Sequence, residues 1–320
     1  MKIAITGAKG FLGRHLVNRL LKNGHSVSIL TRDNTNDIKI EGLEVIIGDI
    51  SEENSLLKLT KNAEIVCNLA AELTNEDKMT STNYLGTKLL FEQSLKSGVR
   101  SFIQLSSVGV YGAVTDITSE EQELAPLNKY EISKSLADKW LLENFREGTN
   151  LIILRPSIIF GSDMKNSHLK ELINRIKANS YFFIGKKDYY VNYIYYENVL
   201  DAIETLINDG SKYNSARIYN LSISDSLESF IASITDALSM ERVSRRLPRF
   251  LVFFIVLFFE LINRLMGLEF PLTLNRYKSL TSSAIYDSSK FFQDYDKANS
   301  FRISNKEGIE QCILEWNKKE

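Results

Sequence analysis

The sequence TGAKGFLG (6–13) directly follows an apolar run and carries three glycines, each three positions from the next. Glycines at this spacing after a strand let the chain turn tightly, approach a pyrophosphate and pack the next helix against the sheet. The N–H groups at the start of that helix then face the phosphates. The loop therefore predicts dinucleotide binding. The predicted contacts are Gly7, Gly10, Phe11, Leu12 and Gly13.

The first half of the chain alternates short apolar runs with segments of helical length. Strands separated in this way predict right-handed crossovers and a parallel sheet. Several runs are apolar almost throughout, as expected where helices cover both faces. We therefore predict an α/β fold with a Rossmann-type, doubly wound parallel sheet. The predicted strands are KIAIT (2–6), SVSIL (26–30), EVIIG (44–48), EIVCNLA (64–70), FIQLSS (102–107) and LIILRPSIIF (151–160).

The pattern becomes less regular after Gly161. It predicts a helix over 168–178, a tyrosine-rich strand over 189–196 and a helix over about 197–207. We expect an NAD(P)-binding domain over residues 1–164 and a smaller C-terminal substrate lobe over 165–320. Elements near 188–222 are expected to return to the sheet.

Composition limits the function classes. The formal net charge of -1 gives no general attraction to nucleic acid, so no nucleic-acid partner is expected. Cys67 and Cys312 are the only cysteines and the chain has three histidines, which supports neither a disulfide framework nor a metal site. The start, MKIAIT, already has the pattern of a strand, with no apolar export segment. We expect a cytoplasmic protein.

Residues after the second and third strands bear on the choice of cofactor. An NAD binder often carries an acid at the tip of the second strand for the adenosine ribose hydroxyls, whereas a guanidinium suits a 2′-phosphate. Arg32 stands there, followed by Asp33. We predict NADP in preference to NAD, with Asp33 keeping NAD open. Asp49, beside Ile50, is predicted to meet the adenine, although a polar turn explains its position equally well.

Tyr130 and Lys134 in YEISK stand four positions apart, which places them on one face of a helix. The same spacing occurs in YLGTK (84–88) and YDSSK (286–290). Spacing alone does not distinguish a catalytic pair among the three.

The order of the motifs resembles that of the extended short-chain dehydrogenase/reductase family, which contains NAD(P)-dependent sugar epimerases, dehydratases and ketoreductases. The likeness runs from residue 1 to about 220 and continues more weakly to the C-terminus. The motifs are TGAKGFLG (6–13), GDI (48–50), NLAA (68–71), NYLGT (83–87), LSSVGVYG (105–112), YEISK (130–134), RPSIIFG (155–161) and YIYYENV (193–199).

The resemblance implies a catalytic set. The family has a Ser or Thr at the end of the fifth strand, followed about two dozen residues later by the Tyr and Lys, so the set falls on Ser107, Tyr130 and Lys134. Tyr84 is then expected to pack and Tyr286 to lie in the late lobe. Further cofactor contacts implied by the resemblance are Leu69, Ala70, Ala71, Pro156, Tyr130 and Lys134.

The chemistry of this set is proton transfer coupled to hydride transfer. A nearby ammonium and a cationic nicotinamide would favour the phenolate of Tyr130, which then exchanges a proton with the substrate oxygen. Lys134 would also hold the nicotinamide ribose, and Ser107 would hydrogen-bond the reacting oxygen. Dehydrating members carry an Asp-Glu pair after the Ser or Thr. Val108 and Gly109 stand there in this chain, so the resemblance favours epimerisation or carbonyl reduction.

The implied substrate is a sugar, most often nucleotide-linked, used in polysaccharide synthesis. One alternative is an NADPH-dependent reductase of a hydroxysteroid-like, apolar or lipid-linked substrate. Another is a non-catalytic protein that senses the cofactor, against which the complete set of Ser107, Tyr130 and Lys134 argues. A retained cofactor would indicate an epimerase and added NADPH consumption a reductase.

Residues 250–259 are ten consecutive apolar residues, preceded by Arg245, Arg246 and Arg249. Ten residues are too few to cross a bilayer as a helix. Either the helix is buried in the lobe or in a dimer contact, or the region 245–268 lies on the cytoplasmic face of a membrane with its arginines at the headgroups. We expect a homodimer. The segment also resembles the late apolar helix of steroid-dehydrogenase-like members and of epimerases of polyprenyl-linked sugars.

Overall fold

The computed structural model describes most of the chain, in eight ranges. These ranges are residues 1–33, 40–146, 148–164, 168–187, 189–209, 215–266, 283–295 and 300–318.

Strands are numbered in chain order. They are β1 (Lys2–Thr6), β2 (Ser26–Thr31), β3 (Leu43–Ile47), β4 (Ile65–Asn68), β5 (Ser101–Leu105), β6 (Ile117–Thr118), β7 (Asn150–Pro156), β8 (Ile158–Phe160), β9 (Phe183–Ile184), β10 (Tyr190–Tyr195), β11 (Ala216–Leu221), β12 (Ile223–Ser226), β13 (Arg246–Leu247) and β14 (Ile285–Tyr286).

Helices are numbered in the same way. They are α1 (Phe11–Lys22), α2 (Glu53–Thr60), α3 (Glu76–Met79), α4 (Thr87–Lys96), α5 (Lys129–Asn144), α6 (His168–Lys177), α7 (Tyr196–Asn208), α8 (Leu227–Ala237), α9 (Arg249–Met266), α10 (Ser289–Tyr295) and α11 (Asn305–Asn317), with a π-helix over Thr80–Gly86 and a 3-10 helix over Val108–Tyr111.

Seven parallel strands form the main sheet in the order β11-β7-β5-β4-β1-β2-β3. Successive residues of β1 point to opposite faces, so Ile3 and Ile5 enter the core beneath α1 and α7, while Ala4 enters the core beneath α2 and α4. Both faces are thus covered by helices, which explains the continuous apolar strands. The predicted Rossmann-type fold is confirmed.

Two predicted element boundaries are wrong. The sequence pattern predicts a first helix over 14–23, whereas this helix begins at Phe11, inside TGAKGFLG. The run LIILRPSIIF is two strands, because the chain changes partner at Ser157. β7 pairs with β11 up to Pro156, and β8 then pairs with β10 in a separate three-stranded sheet. The sequence carries a sign of this change, because Arg155, Pro156 and Ser157 interrupt the apolar residues and proline is disfavoured inside a strand.

A second core lies beneath this smaller sheet. Phe160 from β8 packs there with residues of α6, α8 and α11, including Ile173, Phe230 and Ile309. β11 joins the main sheet, whereas the tyrosine-rich β10 lies in the smaller one. The division at residue 164 stays a prediction, which the separate packing of the second core supports.

Helix α9 contains the apolar run, and the residues that the structure describes cover it on one side. Val252 and Val256 are buried against Ile184. Phe250, Phe254 and Phe258, which share another stripe of the helix, are 66%, 62% and 59% exposed. Among the described residues the segment is therefore buried in part, and the choice between a buried helix, a dimer contact and a membrane contact stays a prediction. No helix in the described ranges has the length and apolarity to cross a bilayer.

Candidate active site

The glycine loop has a shape that requires glycine at two positions. Gly7 has φ +68°, and a Cβ there would lie 2.6 Å from the carbonyl carbon of Leu69. A Cβ on Gly13 would lie 2.1 Å from the Gly7 carbonyl oxygen. The loop is therefore pressed against the end of β4 and against its own helix. A Cβ on Gly10 would lie 3.1 Å from the Gly7 carbonyl oxygen and near no other described atom, so this side of Gly10 is open.

Helix α1 presents its N-terminus to this loop. Its N-cap is Gly10, which has no side chain to accept from the N–H groups of the first turn. That turn contains no acidic residue. Backbone N–H groups and the positive end of the helix dipole thus face the loop, which fits a pyrophosphate. Leu12 is buried in the core, and the Phe11 ring packs against Tyr196. Both can offer a cofactor their backbone N–H groups but not their side chains.

The floor beside the loop is formed by the end of β4. The amide of Ala70 donates to Thr6 Oγ1 at 3.3 Å, which ties the residue after β4 to the end of β1. Leu69 is buried and Ala71 is exposed. Pro156, another predicted cofactor contact, is buried at the end of β7 opposite Leu221.

A lysine of the glycine loop, which is absent from the predicted site residues, reaches the tip of β2. Lys9, within the glycine loop, forms an ion pair with Asp33 at 2.7 Å, and this hydrogen-bonded ammonium lowers the pKa of Asp33. Arg32 and Asp33 are both exposed there. Lys9 was visible as the one charge in TGAKGFLG, but its partner depends on how the loop folds over β2.

Asp49 closes the turn after β3. Its Oδ1 accepts hydrogen bonds from the amide and the hydroxyl of Ser51 at 3.0 and 2.7 Å. Ile50 is buried against Gly86, where a Cβ would lie 2.7 Å from Ile50 Cγ2. These contacts give both residues a structural role, and the adenine contact of Asp49 stays a prediction.

The structure brings the three predicted catalytic residues to the carboxyl end of β5. Tyr130 and Lys134 lie one turn apart on α5, which packs on the 3-10 helix. Lys134 Nζ donates to the carbonyl oxygen of Leu105, the last residue of β5, at 2.9 Å. Ser107 follows two residues later, and its Oγ accepts from the Gly109 amide at 3.1 Å. The Ser107 hydroxyl hydrogen is therefore available for a reacting oxygen.

The protonation of this set follows from burial. Burial raises the pKa of Tyr130 to about 12, and the carboxylates of Asp138 and Glu131 add to the effect. Burial lowers the pKa of Lys134 to about 8, against the attraction of Asp138. The protein's own groups thus hold Tyr130 as a phenol, and the phenolate expected with both Lys134 and a cationic nicotinamide stays a prediction.

A buried polar network supports α5 from below. Asp138 Oδ2 accepts from Ser106 Oγ at 2.9 Å and from Arg155 Nε at 3.0 Å. Arg155 also donates to the hydroxyl of Tyr111, which donates in turn to Asn220 Oδ1 at 2.7 Å. The network joins α5, β7 and β11. Asp138 was missed, although its position four residues after Lys134 places both on one face of the helix.

The two other tyrosine-lysine pairs are differently placed. Tyr84 lies in the π-helix, and Lys88 Nζ lies 5.3 Å from the centre of the Trp140 ring. Tyr286 lies in β14, which pairs with β6, and its ring stacks on Tyr111 with centres 6.1 Å apart. Tyr286 therefore belongs to the surroundings of the loop after Ser107, a closeness that the sequence did not indicate.

Comparisons with known proteins identify the family and agree with the fold. The model of the NAD dependent epimerase/dehydratase family matches residues 3–222. The chain is 26% identical to a Dictyostelium discoideum sterol-4-alpha-carboxylate 3-dehydrogenase, decarboxylating, over 92% of this chain and 93% of that one. It is 24% identical to an Escherichia coli O157:H7 N-acetyl-alpha-D-glucosaminyl-diphospho-ditrans,octacis-undecaprenol 4-epimerase, over 90% and 88%. A solved structure of MoeE5 with UDP-glucose and NAD superposes with a TM-score of 0.74, at 20% identity, over 100% and 99% of the two chains.

Proposed function

The chain belongs to the NAD dependent epimerase/dehydratase family, and from this membership we propose that it is an NAD(P)-dependent epimerase or ketoreductase of a nucleotide-linked sugar. The observation that carries the proposal is the bond from Lys134 Nζ to the Leu105 carbonyl at 2.9 Å. It fixes the helix of Tyr130 beside the strand end that leads to Ser107. The MoeE5 structure supports the cofactor and substrate class.

The glycine loop, the start of α1 and the end of β4 would hold the dinucleotide, which supplies a hydride acceptor or donor when bound. Tyr130, held as a phenol, donates its proton to a carbonyl oxygen during reduction, and in the reverse direction its phenolate form takes the proton from a hydroxyl. The hydroxyl of Ser107 orients the same oxygen. The buried ammonium of Lys134 stabilises the phenolate as it forms.

One experiment separates the two reactions. The purified protein is denatured, and the released dinucleotide is measured by chromatography. UDP-glucose is then added to native protein, and its 4-epimer is measured by NMR beside the consumption of added NADPH by absorbance. Retained dinucleotide with formation of the epimer indicates an epimerase, and consumption of NADPH with a keto-sugar nucleotide indicates a reductase. If the protein neither binds nor converts UDP-sugars, the proposal is wrong.

A second candidate substrate class is apolar or lipid-linked, and the exposed stripe of α9 favours it. Phe250, Phe254 and Phe258 form a contiguous aromatic surface, which normally marks a contact site. Two of the relatives are named for a sterol and for an undecaprenol-linked sugar. On this candidate, the enzyme takes its substrate from a membrane surface.

Basic residues surround the start of α9. Lys186 and Lys187 are exposed, and the Lys186 carbonyl accepts from Arg246 at 2.9 Å. A Cβ on Gly185 would lie 3.5 Å from Arg249 Cβ, so this loop lies against the helix start. Cations beside an aromatic stripe fit an anionic lipid surface. A twofold contact through this end would bring like charges together, so we place the proposed homodimer contact elsewhere.

A further inference from the structure

Glu131 follows Tyr130 on α5 and has a fixed side chain. Its amide donates to Oδ1 of the N-cap Asn128 at 2.9 Å, and its Oε2 accepts from the Leu127 amide at 2.7 Å. The side chain therefore folds back over the helix start, where an acid is favourable. One carboxylate oxygen is used in this cap. The other, Oε1, has no hydrogen-bond partner within the described ranges.

The free oxygen faces the reaction centre. A Cβ built on Gly109 would lie 3.4 Å from Glu131 Oε1 and 3.3 Å from Ser107 Oγ. The same point lies 3.0 Å from Glu131 Cγ, so the side chain of Glu131 fills the space that a residue at position 109 would need. The dehydrating members of the family carry a carboxylate at that position. In this chain a carboxylate reaches the same place from α5.

The surroundings of Glu131 leave its charge unneutralised. Its charge raises the pKa of Tyr130 and of Tyr286, so the carboxylate lies near both phenols. No ion pair of Glu131 occurs among the residues that the structure describes. Gly109, which packs against it, has no side chain that could donate. A carboxylate next to the reaction centre therefore has one oxygen to offer to a substrate.

We propose that Glu131 is a substrate-binding residue, whose Oε1 accepts a hydrogen bond from a hydroxyl or amine that flanks the carbon reacting at Ser107 and Tyr130. This inference deepens the proposed function and rests on it. It predicts selection for sugars with a donor beside the reacting carbon, because an unpaired acceptor disfavours a deoxy analogue.

The test is Glu131→Gln. The amide oxygen of glutamine can still accept from Leu127, so the helix cap is kept while an amide donor replaces the free acceptor. Glu307→Gln is the matched control, because Glu307 forms the capping box of α11 with Ser304. Both variants and the wild type are compared with UDP-glucose, UDP-3-deoxyglucose and UDP-6-deoxyglucose. Binding is measured by calorimetry, and KM and kcat by turnover.

We expect Glu131→Gln to weaken UDP-glucose binding roughly 10- to 100-fold and to abolish discrimination against one deoxy analogue, with kcat nearly kept. Glu307→Gln should behave as the wild type. Equal binding of UDP-glucose by the wild type and Glu131→Gln would overturn this inference alone. If the wild type incorporates solvent deuterium on the flanking carbon and Glu131→Gln does not, Glu131 transfers a proton there, and the substrate-binding role is wrong. A wild type that binds no UDP-sugar would overturn the proposed function as well.

Discussion

Arg155 Nε donates to Asp138 Oδ2 at 3.0 Å, and both side chains are almost fully buried. Removing one partner leaves an unpaired charge in the core, which typically costs about 3–5 kcal/mol. We therefore expect Asp138→Ala to lower the free energy of unfolding by about that amount, measured by denaturant titration. In the double variant Asp138→Leu with Arg155→Met, no buried arginine is left without its partner, so the loss should be smaller. A larger loss in the double variant would contradict this account.

The Asp138 carboxylate also affects the pH dependence that we expect for kcat/KM. Burial lowers the pKa of Lys134 to about 8, and the ammonium is the form that stabilises the Tyr130 phenolate. kcat/KM should therefore fall as pH rises through about 8, because this parameter reports groups of the free enzyme. Asp138 raises the pKa of Lys134, so Asp138→Asn should move the alkaline limb to lower pH.

The measurement is kcat/KM from pH 6 to 10 for the wild type and Asp138→Asn. The position of the limb is the readout, since a purely structural loss lowers the rate at every pH by a similar factor. A limb at the same pH in both proteins would show that Asp138 does not act on Lys134.

Tyr130→Phe should remove turnover and leave dinucleotide binding nearly unchanged, because it deletes the proton-transfer group alone. Removing such a group typically lowers the rate by about 10²–10⁴-fold. Tyr84→Phe and Tyr286→Phe serve as matched controls and should keep most activity, the latter because the stacked ring on Tyr111 is retained. Turnover and cofactor titration are measured for all three. Equal losses would show that motif order selects the wrong tyrosine.

The fold was predictable because its signals are local in sequence. Gly7 and Gly13 follow the first strand directly, and the close approaches that require glycine involve the adjoining loop and the neighbouring strand end. The order of the motifs selects Tyr130 and Lys134 in the same way. The start of α1 was misplaced because Phe11 and Leu12 read as part of the loop, although they already belong to the helix.

The remaining features depend on contacts between distant residues. Lys9 and Asp33 meet because β1 and β2 are neighbours, and Arg155 meets Asp138 because α5 packs beneath β7. The place of Glu131 depends on the absence of a side chain at Gly109, 22 positions earlier. Tyr286 reaches Tyr111 through the pairing of β14 with β6. No spacing rule in the sequence contains these juxtapositions.

The cofactor preference for NADP stays a prediction that rests on Arg32. Arg32→Asp should weaken NADP binding much more than NAD binding, because a like charge replaces a phosphate partner. The pairing of Lys9 with Asp33 at 2.7 Å adds a second expectation. Asp33→Asn should free the ammonium for the phosphate and strengthen NADP binding. Titration of both cofactors measures the ratio, and a ratio unchanged in Arg32→Asp would place the selectivity elsewhere.

The last prediction concerns the aromatic stripe of α9. If it lies on anionic lipid, wild-type protein should sediment with phosphatidylglycerol vesicles at low salt and less so as salt screens the basic residues near the helix start. Phe254→Asp places a charge where 62% of the side chain is exposed, so it should keep the fold and release the protein from lipid. Leu314→Asp is the matched control, because Leu314 is an apolar residue on α11 with 60% exposure.

Sedimentation is measured for the three proteins with phosphatidylglycerol and phosphatidylcholine vesicles, and thermal melting checks their folding. Because Val252 and Val256 pack against Ile184 on the other side of α9, insertion of the stripe needs no unfolding of the core. If the folded wild type stays in the supernatant at low salt, or if Phe254→Asp binds as well as the wild type, the membrane contact is wrong. The lipid-linked substrate class would then lose the structural observation that favours it. If Phe254→Asp instead converts a dimer to a monomer, the stripe is the homodimer contact.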